Sequence, residues 1–198
     1  MTGRERILEA ALRCFGRDGV AATPLGRLLA ESKVSAGSFY HHFSGKEEVA
    51  ATLYTETLGR YQQGFLRELR LHGEPRAAVV ASVAFHIAWC GANRDRARFL
   101  FTERPPGAGR HGGEEFVAQN RAFFEEVRSW WRLHEHHGAL LPLDFTTAHV
   151  LWLGPAQELC RLWLTERVPE PSEEQIATLG EAAWRCLRTP NPEKGVRP

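Results

Sequence analysis

Between Thr23 and Glu48 the chain reads TPLGRLLAESKVSAGSFYHHFSGKEE, and its chemical punctuation leaves room only for short helices. Thr23 is a candidate N-cap, and Pro24 suits a first helical position, where its missing N–H would be unsatisfied anyway. Leu25, Leu28 and Leu29 then fall on one helical face. Ser32–Ser35 makes a turn, with Ser35 as the cap of a second helix. Ser44, with Glu47 three residues on, reads as a capping box that restarts the chain as a longer helix. Helix, tight turn and short helix is the helix-turn-helix layout, in which the second helix enters the DNA major groove.

The second helix, Ala36–His42, carries small residues at Ala36, Gly37 and Ser38, which let backbone and bases approach. Tyr40, His41 and His42 carry polar tips. Phe39 and Phe43 stand four apart and dock the helix on its neighbours. On spacing alone, an amphipathic helical hairpin inside an all-α core fits the same residues.

The segment resembles the DNA-binding domain of the tetracycline-repressor family (TetR/AcrR). The resemblance is carried by Thr23, Leu28, Val34, Ser35, Gly37, Tyr40, His42, Phe43, Lys46 and Glu47 in that order and spacing. It runs from the first helix to Val49. Leu29 and Ser32 stand where the family prefers alanine, and Lys33 where glycine is usual, so Lys33 must accept a left-handed or similar backbone. The resemblance implies a DNA-binding set of Thr23, Ser35, Ala36, Ser38, Tyr40, His41, His42 and Lys46. Within it, Thr23, Tyr40, His42 and Lys46 match phosphate-contacting positions, and Ala36, Ser38 and His41 match the base-reading face.

Charge gives this reading little help. The chain carries a formal net charge of +1. Residues 1–48 hold seven Lys/Arg against six Asp/Glu, a difference of +1. DNA binding therefore rests on local placement of a few groups rather than on a basic surface. A hydrophobic fraction of 43% with 25% charged residues is that of a soluble globular protein. With no apolar run of about 18 residues and no signal-peptide pattern, the expectation is a cytoplasmic protein without a membrane partner. Cys14, Cys90, Cys160 and Cys186 form no CxxC pair and read as small buried residues, so no metal or other cofactor is expected.

Upstream, Arg4–Arg17 reads as a helix with Ile7, Leu8, Ala11, Leu12 and Phe15 on one stripe, ended by Asp18-Gly19. Downstream, a helix from about Gly45 to Leu71 connects the head to the rest; Gly59 and Gly64 allow either close packing or bending. After His72–Pro75, the helix Arg76–Ala92 is apolar on most sides and so central; His86 lies within it, with Cys90 four residues on. A helix over Arg96–Glu103, a Pro/Gly-rich loop from Arg104 to Gly113 and a helix over Glu114–His136 follow. The helix after Asp144 is expected to kink at Gly154-Pro155. A last helix opens at Ser172 with Glu174 and runs to Leu187.

The fold class is thus all-α, with about nine helices. Residues 1–48 form a three-helix helix-turn-helix domain, 49–189 a helical effector-binding and dimerisation domain, and 190–198 a disordered tail. An apolar pocket with a few polar groups takes a small molecule. Its candidate lining is Phe85, His86, Trp89, Phe116, Gln119, Phe123 and His149, although these aromatics also serve simply as core. Two apolar stripes, with Trp152, Leu159, Leu162 and Trp163 on one helix and Leu179 and Ala183 on the next, suit a four-helix bundle across a two-fold axis; burial within one subunit is the alternative.

His134, Glu135, His136 and His137 read as a solvated helix end rather than a metal site. HExxH, GxSxG and phosphate-loop motifs are missing from the sequence, and no enzyme is indicated. The resemblance implies a ligand-responsive transcriptional regulator, a repressor that binds a near-palindromic double-stranded operator as a homodimer and is released by an apolar or aromatic effector. The alternative is a helical small-molecule-binding or protein-interaction module whose head no longer binds DNA.

Overall fold

The computed structural model describes residues 1–101 and 113–190, the side chains of 113–115 excepted. Most of the Pro/Gly-rich stretch expected as a loop, and the tail beyond 190, lie outside the described residues. Nine helices occur among the described residues: α1 (Gly3–Ala22), α2 (Leu25–Ser32), α3 (Ala36–His42), α4 (Lys46–Leu71), α5 (Pro75–Ala92), α6 (Arg94–Phe101), α7 (Gly113–His136), α8 (Phe145–Leu164) and α9 (Glu173–Leu187). The β structure described is one isolated antiparallel bridge between Leu140 and Arg188, tying the α7–α8 connection to the end of α9.

Helices α1 to α3 close around Ile7, Leu28, Val34, Phe39 and Phe43, all buried. The turn between α2 and α3 passes through Lys33 at φ 53°, ψ 38°. That is the left-handed conformation the resemblance requires, held by a non-glycine residue at a cost on the order of 1 kcal/mol. Its side chain is exposed to solvent. Ser35 caps α3 by accepting from the Ser38 N–H.

Other expected caps are corrected. Thr23 does not cap α2. It ends α1, fully buried, and its hydroxyl donates 2.8 Å to the Gly19 carbonyl. Pro24 takes the N-cap position of α2 without a side-chain bond. The reason lies in α1: positive φ at Gly19 (78°) breaks that helix at the expected place, one further turn follows to Ala22, and Thr23 serves the carbonyls this turn leaves open. Ser44 pairs with Glu48 rather than Glu47, its N–H and hydroxyl both donating 2.7 Å to Glu48 Oε2. These bonds hold the Glu48 carboxyl below its usual range. Ser172 opens α9 as expected, in a capping box with Gln175. Helix α8 runs as a single helix through Pro155, although the ring deletes one backbone donor.

Helix α5 is central, touching α4, α6, α8 and α9. It is long and apolar enough to cross a membrane by composition, but its Ala78, Val79, Val83, Ile87 and Cys90 are buried in the packed body. The glycines of α4 serve close packing. A Cβ on Gly64 would collide with the Phe85 ring of α5, and one on Gly59 would lie 3.0 Å from the Gln119 side chain of α7. Head and body also meet directly: Phe15 of α1 stacks on Phe99 of α6 with centroids 6.1 Å apart, and Arg4 pairs with Glu56 of α4 at 2.7 Å.

Candidate nucleic-acid interface and effector cavity

The exposed side of α3 is short and polar. Phe39 (0% exposed) and Phe43 (3%) fasten it inward. Ser35, Ala36, Gly37, Tyr40 and His41 are left exposed, and Ser38 and His42 half-buried. Tyr40 is 58% exposed, a large ring with no core role. A Cβ at Gly37 would meet nothing in the chain; the fold does not need glycine there. The His42 ring lies against Gly3 at the start of α1.

Two of the expected phosphate contacts are turned inward. Thr23 is buried against Gly19. The Lys46 ammonium donates to three backbone carbonyls, Val20 at 3.0 Å, Ala21 at 3.1 Å and Thr23 at 3.0 Å. An ammonium has three donors, so Lys46 is fully engaged. It cancels the negative end of α1 and pins the base of α4 to the head.

The body contains an aromatic cavity of about 140 Å³ between α4, α7 and α8. Leu58, Tyr61, Gln62 and Phe65 of α4 form one wall. Phe123, Phe124 and Val127 of α7 and Phe145, His149 and Trp152 of α8 form the others. It joins a more open chamber of about 580 Å³ lined by Tyr54, Phe116, Gly154, Glu158 and Arg161; Leu58, Phe101, Asn120, Phe124, His149 and Gln157 border both. Polar groups are few. Gln62 donates 2.9 Å to Asn120 Oδ1 and accepts from Gln119 at 3.1 Å, an amide relay from α4 to α7. Burial, and secondarily His86, hold the His149 imidazole below its ordinary pKa range. In the outer chamber Arg161 is held in a two-bond pair with Glu158 (2.8 and 2.6 Å).

Of the expected lining, Phe123 and His149 face the inner cavity and Phe116 the outer chamber. Gln119 stands one bond away, through Gln62. Phe85, His86 and Trp89 do not line the cavity. They sit behind Tyr61: His86 shares a 2.9 Å hydrogen bond with its hydroxyl, and the Phe85 and Trp89 rings lie 5.8 and 5.2 Å from its ring. The sequence reading missed Tyr61, Gln62, Phe101, Asn120 and Gln157. Tyr61 and Phe65 stand four apart and so share a face of α4, but the sequence does not tell which helix meets that face.

The expected dimer stripes divide. Trp152 (3% exposed), Trp163 (4%) and Ala183 (4%) are buried within the subunit, a correction to that reading. Trp152 packs on Phe65 and Trp130, and its indole donates 2.9 Å to Ser82. Trp163 rests on Gly91 beneath the Arg94 guanidinium. Large rings at these positions find pockets in α5 that a helical-wheel reading cannot foresee. Leu159, Leu162 and Leu179 remain half-buried.

Residues 7–53 match the model of the bacterial regulatory proteins of the tetR family. The regulator AcrR of Shigella flexneri is 26% identical over 203 aligned positions, covering 96% of this chain and 93% of that protein. A TetR family transcription regulator from Marinobacter aquaeolei VT8 has the same fold, with a TM-score of 0.79 at 17% identity over 94% of this chain and 95% of that one. The transcriptional regulator FadR of Bacillus subtilis, solved in complex with stearoyl-CoA, aligns with a TM-score of 0.66 at 13% identity over 91% and 95% of the two chains. The exposed α3 helix, the left-handed turn before it and the all-α body accord with these matches: residues 7–53 are a helix-turn-helix head of the tetR family of bacterial regulatory proteins, carried on a body with the fold of TetR family transcription regulators.

Proposed function

We propose that the protein is a cytoplasmic, homodimeric repressor released from a near-palindromic operator by a compact aromatic effector. Residues 1–48 act as the reading head, and 49–189 as the effector and dimer domain. The observation that carries this is the aromatic cavity whose α4 wall is continuous with the helix that Lys46 pins to the head. The inner volume of about 140 Å³ is close to that of an engineered apolar cavity that takes a benzene ring. One ring fits there, with a substituent reaching the outer chamber and Gln62, Asn120, His149 or Gln157 orienting it.

Two routes link the cavity to DNA. Helix α4 carries both Tyr61 at the cavity and Lys46 at the head. Helix α6 carries Phe101 at the cavity and Phe99 against Phe15 of α1. An effector releases DNA only if it binds the DNA-incompetent arrangement more tightly. Leu159, Leu162 and Leu179 supply the part-open apolar face for a two-fold bundle. Paired heads then read half-sites about 34–36 Å apart, or at a multiple of that distance. In each head Ala36, Ser38 and His41 face bases, and Tyr40 and His42 face phosphate, with Ser35 holding the start of α3. Thr23 and Lys46 act through the backbone they hold.

The test is fluorescence anisotropy with DNA from upstream of the protein's own coding region at two salt concentrations, with and without small aromatic probes. Tight, salt-sensitive binding at two protomers or a multiple per site, weakened by Tyr40→Phe and reversed by a probe, supports the reading. Binding no better than to unrelated DNA across the flanking region, by a folded dimer, favours a small-molecule-binding protein whose head no longer reads DNA.

A further inference from the structure

Behind the cavity wall three metal-ligating side chains meet. His86 and Cys90 stand four apart on α5 and so share a face; Cys160 reaches them from α8. One nitrogen of His86 and the two Sγ atoms lie within 4.8 Å of one another. Cys90 Sγ is 4.0 Å from His86 Nε2. All three residues are buried, at 0%, 0% and 1% exposure. The other ring nitrogen, Nδ1, is occupied by the Tyr61 hydroxyl at 2.9 Å. Nε2 therefore faces sulfur, a weak hydrogen-bond partner, where a buried imidazole ordinarily finds oxygen or nitrogen.

We propose that His86 Nε2, Cys90 Sγ and Cys160 Sγ form a binding site for one thiophilic d10 metal ion, Cu(I) or Zn(II). Thiolate with imidazole is the ligand set such ions select, and the cluster contains no carboxylate for Mg²⁺ or Ca²⁺. Bonds of about 2.0–2.3 Å place two ligand atoms of one ion roughly 3.5–4 Å apart. From separations of 4.8 Å or less, the ligand atoms need to close by up to about 1.3 Å. Each thiol gives up its proton as its sulfur–metal bond forms, so two protons leave and no electron moves. The product is neutral with Zn(II) and carries one negative charge with Cu(I).

Tyr61 is the outer partner of the site. An ion on Nε2 leaves the proton on Nδ1, so His86 donates to the Tyr61 oxygen and the hydroxyl hydrogen must turn elsewhere. Since Tyr61 also lines the cavity, an ion behind the wall sets the polarity shown to an effector. This last link rests on the effector reading; the ion site does not.

The test uses the reduced full-length chain without oxygen, titrated separately with Cu(I) and Zn(II) against a competing chromophoric chelator. X-ray absorption at the metal edge counts the ligands. One equivalent of either ion bound by two sulfurs and one nitrogen, unaffected by Cys186→Ser, is the expected result. Cys160→Ser is expected to lower affinity by at least about 100-fold and Tyr61→Phe by about 10- to 100-fold, the range for lost outer partners. Circular dichroism checks that the variants fold, and the ligand count on the unmodified protein stands whether or not they do. Failure of both ions to bind stoichiometrically, a ligand set without two sulfurs, or full affinity in a folded Cys160→Ser overturns the site. DNA is not part of the assay, so failure here leaves the regulator reading untouched.

Discussion

The head and the body of this protein are both helical, yet they are specified in different ways. In the head, each helix is bounded by local chemistry: Gly19 at positive φ, the left-handed Lys33 and the Ser35 cap all act within four residues. In the body, what matters is which large side chain meets which small one across the molecule: Phe85 against Gly64, Trp163 against Gly91. The head is thus a small unit fixed by short-range bonds, and the body a packed volume whose aromatic cavity depends on long-range fit. Lys46 joins the two, since its side chain completes the head while its backbone begins the helix that walls the cavity.

The sharpest break of this contrast is a truncation in the head core. Phe39→Ala removes a fully buried ring and is expected to cost about 3–5 kcal/mol. Chemical denaturation followed through the body's tryptophans and by far-ultraviolet circular dichroism should show whether the head melts apart from the body. Coincident transitions would mean that the two are one cooperative unit. Overfilling the body comes next. Gly64→Ala drives a methyl into the Phe85 ring and is expected to cost about 1–3 kcal/mol, together with weaker binding of aromatic probes, read by calorimetry.

Lys46 tests the junction. Lys46→Ala removes three charge-assisted bonds from a half-buried site and is expected to cost about 1–2 kcal/mol. If the lysine acts only by holding the end of α1, the logarithmic salt dependence of DNA binding keeps its slope. A slope smaller by about 0.9 would restore a direct phosphate contact. Tyr40→Phe should do the opposite, changing stability by under about 0.5 kcal/mol while weakening DNA binding.

The smallest effect is pH dependence in the body. Burial lowers the pKa of His149, and of His134, below the ordinary 6.5. Near that pH the unfolded chain binds more protons than the folded one, so their contribution is complete above pH 6.5 and is lost as pH falls through the depressed values. Thermal midpoints compared at pH 7.5 and 5.5 should drop on acidification, and less so in His149→Gln.

Much of the head was legible because its signals are short-range. The three helices, the Ser35 cap and the exposed Tyr40 all follow from residue types at fixed offsets. Even there, Thr23 and Lys46 were assigned outward because their partners, carbonyls at the end of α1, depend on how that helix terminates. In the body the helices themselves were legible from their apolar period, and Phe116, Phe123 and His149 were found among the cavity residues. The division of tryptophans between cavity wall and core was not, since periodicity gives a face and not what that face meets. Gln157 and Asn120 carried no signal, being ordinary polar residues until a neighbouring helix turns them toward the same space.

By itself, then, the sequence determined the all-α class, the order of the helices and the helix-turn-helix reading head, because caps, turns and the 3.6-residue period act over one or two turns of chain. Only the tertiary structure decided that Lys46 closes α1, that Trp152 walls a cavity, and that Cys160 comes to His86 and Cys90. Those outcomes depend on which helices lie side by side, and that is set by the summed fit of many side chains distant along the chain.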